Sequence, residues 1–260
     1  MCLLAVLYRL VPESPILVAA NREEYYDRPA SPPSIQSGKP RVLCGLDQRA
    51  GGTWLGVNQH GMFVGLTHRR IGGGETIGSR SRGLIAREIL RCLSARSAVD
   101  RAAEEMNKHV FEPFNLIICD SESGWLVYNN GEKNEIQPLE DGLNIVGNLN
   151  LNDIQDDRVQ LASRLLTLQN LDSPVKFLAV ASKVFARSPT PASRASMVIR
   201  SHDFGTISST LIALGPKPRD AIFQYSAGAP DEAKYEDYSP MLRDILSRGL
   251  REARTKVKVS

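Results

Sequence analysis

Met1-Cys2-Leu3-Leu4-Ala5-Val6-Leu7-Tyr8-Arg9-Leu10 runs into Val11-Pro12-Glu13-Ser14, and Ile16 to Ala20 then leads into Asn21-Arg22-Glu23-Glu24. Two apolar runs around a short proline-containing turn predict a β-hairpin. With the turn centred near Pro12-Glu13, cross-strand positions sum to about 25, give or take one. Cys2 then faces Arg22, Glu23 or Glu24, the dense charged cluster of the hairpin.

That juxtaposition gives Met1-Cys2 a chemical meaning. An initiator Met is commonly removed before a small second residue, which would leave a thiol and a free α-amine on one residue. The two groups have similar unperturbed pKa values, about 8 for an α-amine and about 8.5 for a thiol. The amine can therefore take the proton of its own nucleophile at little cost, the N-terminal-nucleophile arrangement. Arg22 is a permanent cation beside the thiol, and an adjacent carboxylate can hold the amine. Without removal of Met1, Cys2 is an ordinary small strand residue.

Beyond the hairpin, Phe63 to Thr67 predicts another strand. Leu84, Ile85, Ile89 and Leu90 recur with the period of an amphipathic helix. Ala98 to Met106 predicts a second helix, with Ser97 as its N-cap. Phe114 to Cys119 and Trp125 to Tyr128 form a hairpin, followed by short strands at Ile136 and at Leu143 to Val146. Helical periods return at Asp157 to Gln169 and Val175 to Phe185. Ser208 to Leu214 and Ala221 to Gln224 are the last strands expected. Grouped helices alternating with hairpin-linked strands predict an α+β layer fold with antiparallel sheets.

The chain has 260 residues, a formal net charge of +3 and 42% hydrophobic residues, which excludes a disordered, collagen-like or disulfide-stapled chain. Residues 247–260 carry +4 and the preceding 246 sum to −1. The reading is one domain over 1–246 followed by a basic tail at 247–260. A nearly neutral body argues against nucleic acid as a partner. No apolar run reaches the ~18 residues of a membrane span. The N-terminal run lacks the basic start and cleavage site of a signal peptide. Dispersed cysteines and the absence of an Asn-x-Ser/Thr site favour a reducing compartment, the cytoplasm.

The sequence resembles the NRDE family, also called transport-and-Golgi-organisation-2 proteins, whose Asn-Arg-Asp-Glu tetrapeptide here reads Asn21-Arg22-Glu23-Glu24. Arg28-Pro29, Ala50-Gly51-Gly52-Thr53-Trp54-Leu55-Gly56-Val57-Asn58, Gly61 to Thr67, Ser81-Arg82-Gly83, Phe114-Asn115-Leu116 and Gly205-Thr206 extend the match. That family is similar to N-terminal-nucleophile (Ntn) hydrolases, which implies a four-layer αββα sandwich. It also implies cleavage of a non-peptide amide through an acyl-enzyme on Cys2. By the same resemblance Arg22 supports the thiolate, Glu23 orients the α-amine, and Asn150, or alternatively Asn148, holds the oxyanion. His68 stands where the family has an Asn, and Ile207 where it often has an Arg. The resemblance also implies a second reading: a non-catalytic carrier of haem or of an apolar or lipid ligand, in trafficking or lipid homeostasis.

Other features are weaker. No Cys or His pair has metal-ligand spacing, so no metal and no cofactor are expected. The glycine-rich run at 71–78 fails as a phosphate loop because it lacks Lys-Ser/Thr; it reads as a mobile loop beside the first helix. Trp54 and Phe63 are candidates to line an acyl pocket.

Overall fold

A computed structural model describes residues 2–71, 80–131, 133–189 and 195–257. The expected glycine-rich loop and the processing of Met1 fall outside these residues. The chain order is β1 (Cys2–Tyr8), β2 (Ile16–Tyr25), β3 (Ala30–Gln36), β4 (Val42–Asp47), β5 (Leu55–Asn58), β6 (Phe63–His68), α1 (Arg82–Ile89) and α2 (Ala95–Lys108). It continues with β7 (Phe114–Cys119), β8 (Gly124–Asn129), β9 (Asn134–Pro138), β10 (Gly142–Val146), α3 (Asp157–Thr167) and α4 (Pro174–Phe185). Last come β11 (Phe204–Leu214), β12 (Ile222–Ser226), β13 (Glu236–Asp237) and α5 (Ser239–Val257).

The strands form two antiparallel sheets. One has the order β10-β1-β2-β11-β12-β13; the other is a meander from β3 to β9. Strand alternation assigns the layers. Leu4, Val6 and Tyr8 of β1 join Ile16 and Val18 in a core shared with Leu43, Val57, Phe63 and Ile117 of the meander. Leu3, Ala5 and Leu7 point the other way, onto Val159, Leu166, Phe177 and Phe185 of α3 and α4. On the far side Val64, Leu66, Leu116 and Ile118 pack on Ile85, Ile89, Ala98 and Ala102 of α1 and α2. The result is the expected αββα sandwich. β1 reads as an unbroken apolar run because both its faces are covered. Each such leucine or valine contributes about 1.5–3 kcal/mol by burial.

Local signals mark the helix starts. Asp156 caps α3, and Ser173 precedes Pro174 at the start of α4. The second helix begins earlier than expected: Ser94 is the N-cap, and Ser97 is the third helical residue, completing a capping box. Three strands of the meander, β3 to β5, and helix α5 were not foreseen. Residues 247–257 of the basic stretch expected as a tail are the second half of α5, so the expected boundary at 246/247 falls inside a helix. Leu242, Ile245 and Leu246 seat that helix on the inter-sheet core. Gly249 lies so close to the Gln59 carbonyl that a Cβ would collide with it, and Gln59 Nε2 donates to Glu252 (2.7 Å). Residues 251–255 are exposed.

Candidate functional site

Cys2 pairs with Arg22 across the first hairpin, at one end of the predicted range. Paired residues share a face, so both side chains lie on the inter-sheet side, where the apolar core ends. They border a cleft of about 740 Å3. Arg22 is buried with its guanidinium 4.2 Å from the centre of the Trp54 ring. Its Nη2 is 3.9 Å from Glu24, which lies 3.8 Å from Arg28; Arg28 in turn holds Asp47 through Nη2 (2.6 Å) and Nε (3.2 Å). Burial lowers the Arg22 pKa, and the charges of Cys2, Glu24 and Asp47 oppose the shift. Burial alone would raise the Asp47 carboxyl, but the Arg28 bonds and the Arg49 main-chain N–H bring it below its ordinary value.

The tetrapeptide is split by strand alternation. Arg22 and Glu24 serve the cleft. Asn21 and Glu23 have their side chains on the helix side of the sheet. Asn21 Nδ2 donates to the carbonyls of Phe185 and Met197, both at 2.9 Å. The Glu23 side chain is fully buried and accepts from Arg158 Nη2 of α3 (2.8 Å). Arg158 also donates to the carbonyls of Ser196 and Met197. Burial raises the Glu23 pKa, and Arg158 pulls it part of the way back. The register turns the backbone nitrogen of Cys2 toward the Glu23 end of β2, so Glu23 lies near the main chain of Cys2 and across the sheet from its thiol. The register of β11 shifts between Thr206 and Ser208, which makes Ile207 the bulged residue.

The opposite wall comes from the second sheet. His68 ends β6 and is open to the cleft. Desolvation by the surrounding walls, then the charges of Arg82 and Arg70, push its pKa down to about 4, so the ring is neutral at pH 7. Asn148 follows β10 and is buried; its Nδ2 donates to the His68 carbonyl (2.6 Å), and the Arg70 N–H donates to the Asn148 carbonyl (2.7 Å). Asn115, fully buried, donates to Thr67 Oγ1 (3.1 Å) and to the Leu149 carbonyl (3.0 Å). Thr67 Oγ1 donates to the Gly147 carbonyl (2.7 Å). These bonds tie the segment after β10, in one sheet, to β6 and β7 in the other.

Of the residues expected from sequence, Cys2, Arg22 and His68 border the cleft; Glu23 reaches it only through its place in the strand, its side chain being buried on the helix side of the sheet. Asn150 does not; it is exposed and accepts from Arg69 Nη2 (2.7 Å), whereas Asn148 lines the wall. Trp54 lines the cleft as expected. Phe63 does not: it is fully buried between the sheets, because odd positions of β6 face the other sheet. Arg28, Asp47 and Arg158 were not singled out for the site. An asparagine inside the apolar run Phe114 to Cys119 is a readable signal for Asn115; Arg158 has none, lying 135 residues from its partner. Among the described residues no group of His, Cys, Asp and Glu is arranged to hold a metal.

The fold is similar to a Caenorhabditis elegans N-acylethanolamine-hydrolyzing acid amidase ortholog (TM-score 0.52, 15% identity, 81% of this chain and 92% of that one). It is also similar to a mutant of the conjugated bile acid hydrolase from Clostridium perfringens (TM-score 0.59, 11% identity, 92% of this chain and 93% of that one). A Cys-led hairpin inside two stacked antiparallel sheets with outer helices is therefore an Ntn-hydrolase-type fold. The sequence places the chain more narrowly. Residues 1–222 match the Transport and Golgi organisation 2 family, and the chain belongs to it. The Bos taurus Transport and Golgi organization protein 2 homolog is 32% identical over 133 residues, 48% of this chain and 46% of that protein. The Homo sapiens homolog is 28% identical over 130 residues, with the same coverage. The matches span about half the length of these curated relatives.

Proposed function

We propose that the protein is an amidohydrolase that cleaves a non-peptide C–N bond with Cys2 as nucleophile once Met1 has been removed. The observation that carries the reading is the pairing of Cys2 with Arg22 on the wall of the cleft. In this reading the α-amine of Cys2 takes the thiol proton, Sγ attacks the amide carbonyl, and a tetrahedral oxyanion forms. The amine returns the proton to the leaving nitrogen, the C–N bond breaks, and water releases the acyl group from the thioester. Arg22 faces the developing negative charge, held rigid by Trp54. Glu23 acts from the other side of the sheet on the α-amine.

The oxyanion donor in this reading is Asn148 and not Asn150. One N–H of Asn148 Nδ2 is used by the His68 carbonyl, leaving the second for the oxyanion. Neutral His68 supplies a further donor. Preorganised donors of this kind are worth about 2.7–4 kcal/mol each in related chemistry. The four cysteines are free, which suits a reducing compartment such as the cytoplasm. Among the described residues no helix is long and apolar enough to cross a membrane.

Intact mass and N-terminal sequencing are the first test, with Cys2 expected as residue one; retained Met1 sinks the mechanism. Medium-chain acyl amides should be hydrolysed by the intact protein and not by Cys2→Ala of equal stability. A protein that binds apolar ligands or haem in the same cleft, with no Cys2-dependent turnover, would instead be a carrier.

A further inference from the structure

Beside the first hairpin the cleft wall carries two arginines, Arg22 and Arg28, and two carboxylates, Glu24 and Asp47. The charges are not shared evenly. Arg28 holds Asp47 through Nη2 (2.6 Å) and Nε (3.2 Å), and its Nη1 lies 3.8 Å from Glu24. The turn after β2, closed by the Arg28 N–H on the Tyr25 carbonyl (3.1 Å), brings Arg28 back to Glu24. Asp47 Oδ1 is fixed further by the Arg49 main-chain N–H (3.0 Å). Arg22 reaches Glu24 only at 3.9 Å, beyond hydrogen-bond distance.

The Arg22 guanidinium is supported instead by the Trp54 ring, 4.2 Å from its centre. An aromatic face fixes a guanidinium and leaves its charge intact; a carboxylate at hydrogen-bond distance fixes it and cancels the charge. The ring lies over a bare backbone. Gly45 is on the inter-sheet face of β4, two residues from Leu43 and two from Asp47. A Cβ there would stand 2.5 Å from the Trp54 ring and 2.9 Å from the Ser31 carbonyl oxygen. The main chain is pinned as well: the Leu66 N–H donates to the Trp54 carbonyl (2.8 Å), and Thr53 Oγ1 donates to the Gly45 carbonyl (2.7 Å).

We infer that Arg28 and Trp54 are positioning residues that keep the charge of Arg22 free for Cys2. Arg28 does so by drawing Asp47 and Glu24 to itself, and Trp54 by holding the guanidinium on the face it shares with the cross-strand thiol. The catalytic meaning of this arrangement rests on the amidase reading above, but thiol chemistry measures it without turnover.

A neighbouring cation favours the thiolate, and alkylation follows the thiolate. In the full-length protein at pH 7.5, Arg28→Gln should slow iodoacetamide labelling of Cys2 at least about threefold, because Asp47 and Glu24 then turn their charge on Arg22. Adding Asp47→Asn and Glu24→Gln to that variant should return the rate to within about twofold of the parent. A merely structural role of Arg28 would not be repaired by removing its partners. Trp54→Leu should slow labelling as Arg28→Gln does, and Trp54→Phe, which keeps a ring under the guanidinium, should not. In an Arg22→Gln background neither Arg28→Gln nor Trp54→Leu should have an effect. If Trp54→Leu fails to fold, Gly45→Ala displaces the same ring and carries the same expectation. Labelling unmoved by these substitutions, slowed equally with and without Arg22, or not restored by removing the two carboxylates overturns the inference. The expected labelling in a protein with no Cys2-dependent hydrolysis removes the amidase reading and leaves the positioning roles. Hydrolysis with unmoved labelling does the reverse.

Discussion

Glu23 and Arg158 form a buried ion pair, 2.8 Å long, on the face of the sheet opposite the Cys2 thiol. The pair joins the first hairpin to α3, and Arg158 fastens Ser196 and Met197 to the same place. Removing the cation from such a pair leaves an uncompensated charge. Arg158→Met should cost about 3–5 kcal/mol in urea unfolding at pH 7. The Glu23 pKa is already raised, so its folded-state penalty is absent below the unfolded value and grows as pH rises through the folded one. Acidification should therefore restore part of the loss, as should Glu23→Gln in the same protein. A loss that is equal at pH 7 and pH 5 would show that packing and not charge is at stake.

His68 should titrate near pH 4, which NMR of its ring protons can follow. Its folded pKa lies below the ordinary value of 6.5, so the stability it contributes is present above 6.5 and is lost as pH falls toward 4. Arg82→Gln removes a neighbouring positive charge and should move the midpoint upward. A midpoint at 6.5 in both proteins would mean that neither the cleft walls nor Arg82 act on the ring.

Thiol labelling should single out Cys2. Cys44 and Cys119 are buried, and burial raises the pKa of both thiols. Cys92 is partly exposed, and its thiol is also raised by burial. Peptide mapping after brief iodoacetamide treatment at pH 7.5 should find Cys2 modified at least about tenfold faster than the other three. Comparable modification of Cys92 would count against a special environment at Cys2.

Asn115→Ala should cost on the order of 2–3 kcal/mol, because buried carbonyl and hydroxyl partners lose their donor. The larger effect should be local. Amides after β10, from Asn148 to Leu151, should exchange with solvent faster, and ligand affinity in the cleft should drop. Unchanged exchange there would show that Arg69 and Thr67 suffice to hold the segment.

Much of the architecture was legible because it is periodic. The first hairpin, its register to within one position, and helices α3 and α4 follow from apolar spacing and turn residues. Strands β3 to β5 escaped because their residues alternate weakly: β3 carries two prolines and β5 spans four residues. Helix α5 escaped because its charged second half looks like a solvated tail, and its apolar residues acquire meaning only against the open end of the core. In the site, the neighbourhood of Cys2 and Arg22 was readable because hairpin partners are close in sequence. The role of Asn148 over Asn150 on the cleft wall was not, since two residues of a loop share no periodicity that says which faces inward.

What the sequence by itself determined is local: a Cys-led hairpin, the charged tetrapeptide opposite it, and the order of strands and helices along the chain. Short-range pairing and side-chain periodicity act within a few residues, so the chain carries them in plain view. Only the tertiary structure decided that alternation along β2 sends Arg22 to the cleft and Glu23 to the helix layer. It alone brought Arg158 to Glu23, and Arg69, His68 and Asn148 to the far wall. Those contacts join segments far apart in sequence, and their distances follow from packing two sheets together, which no local pattern encodes.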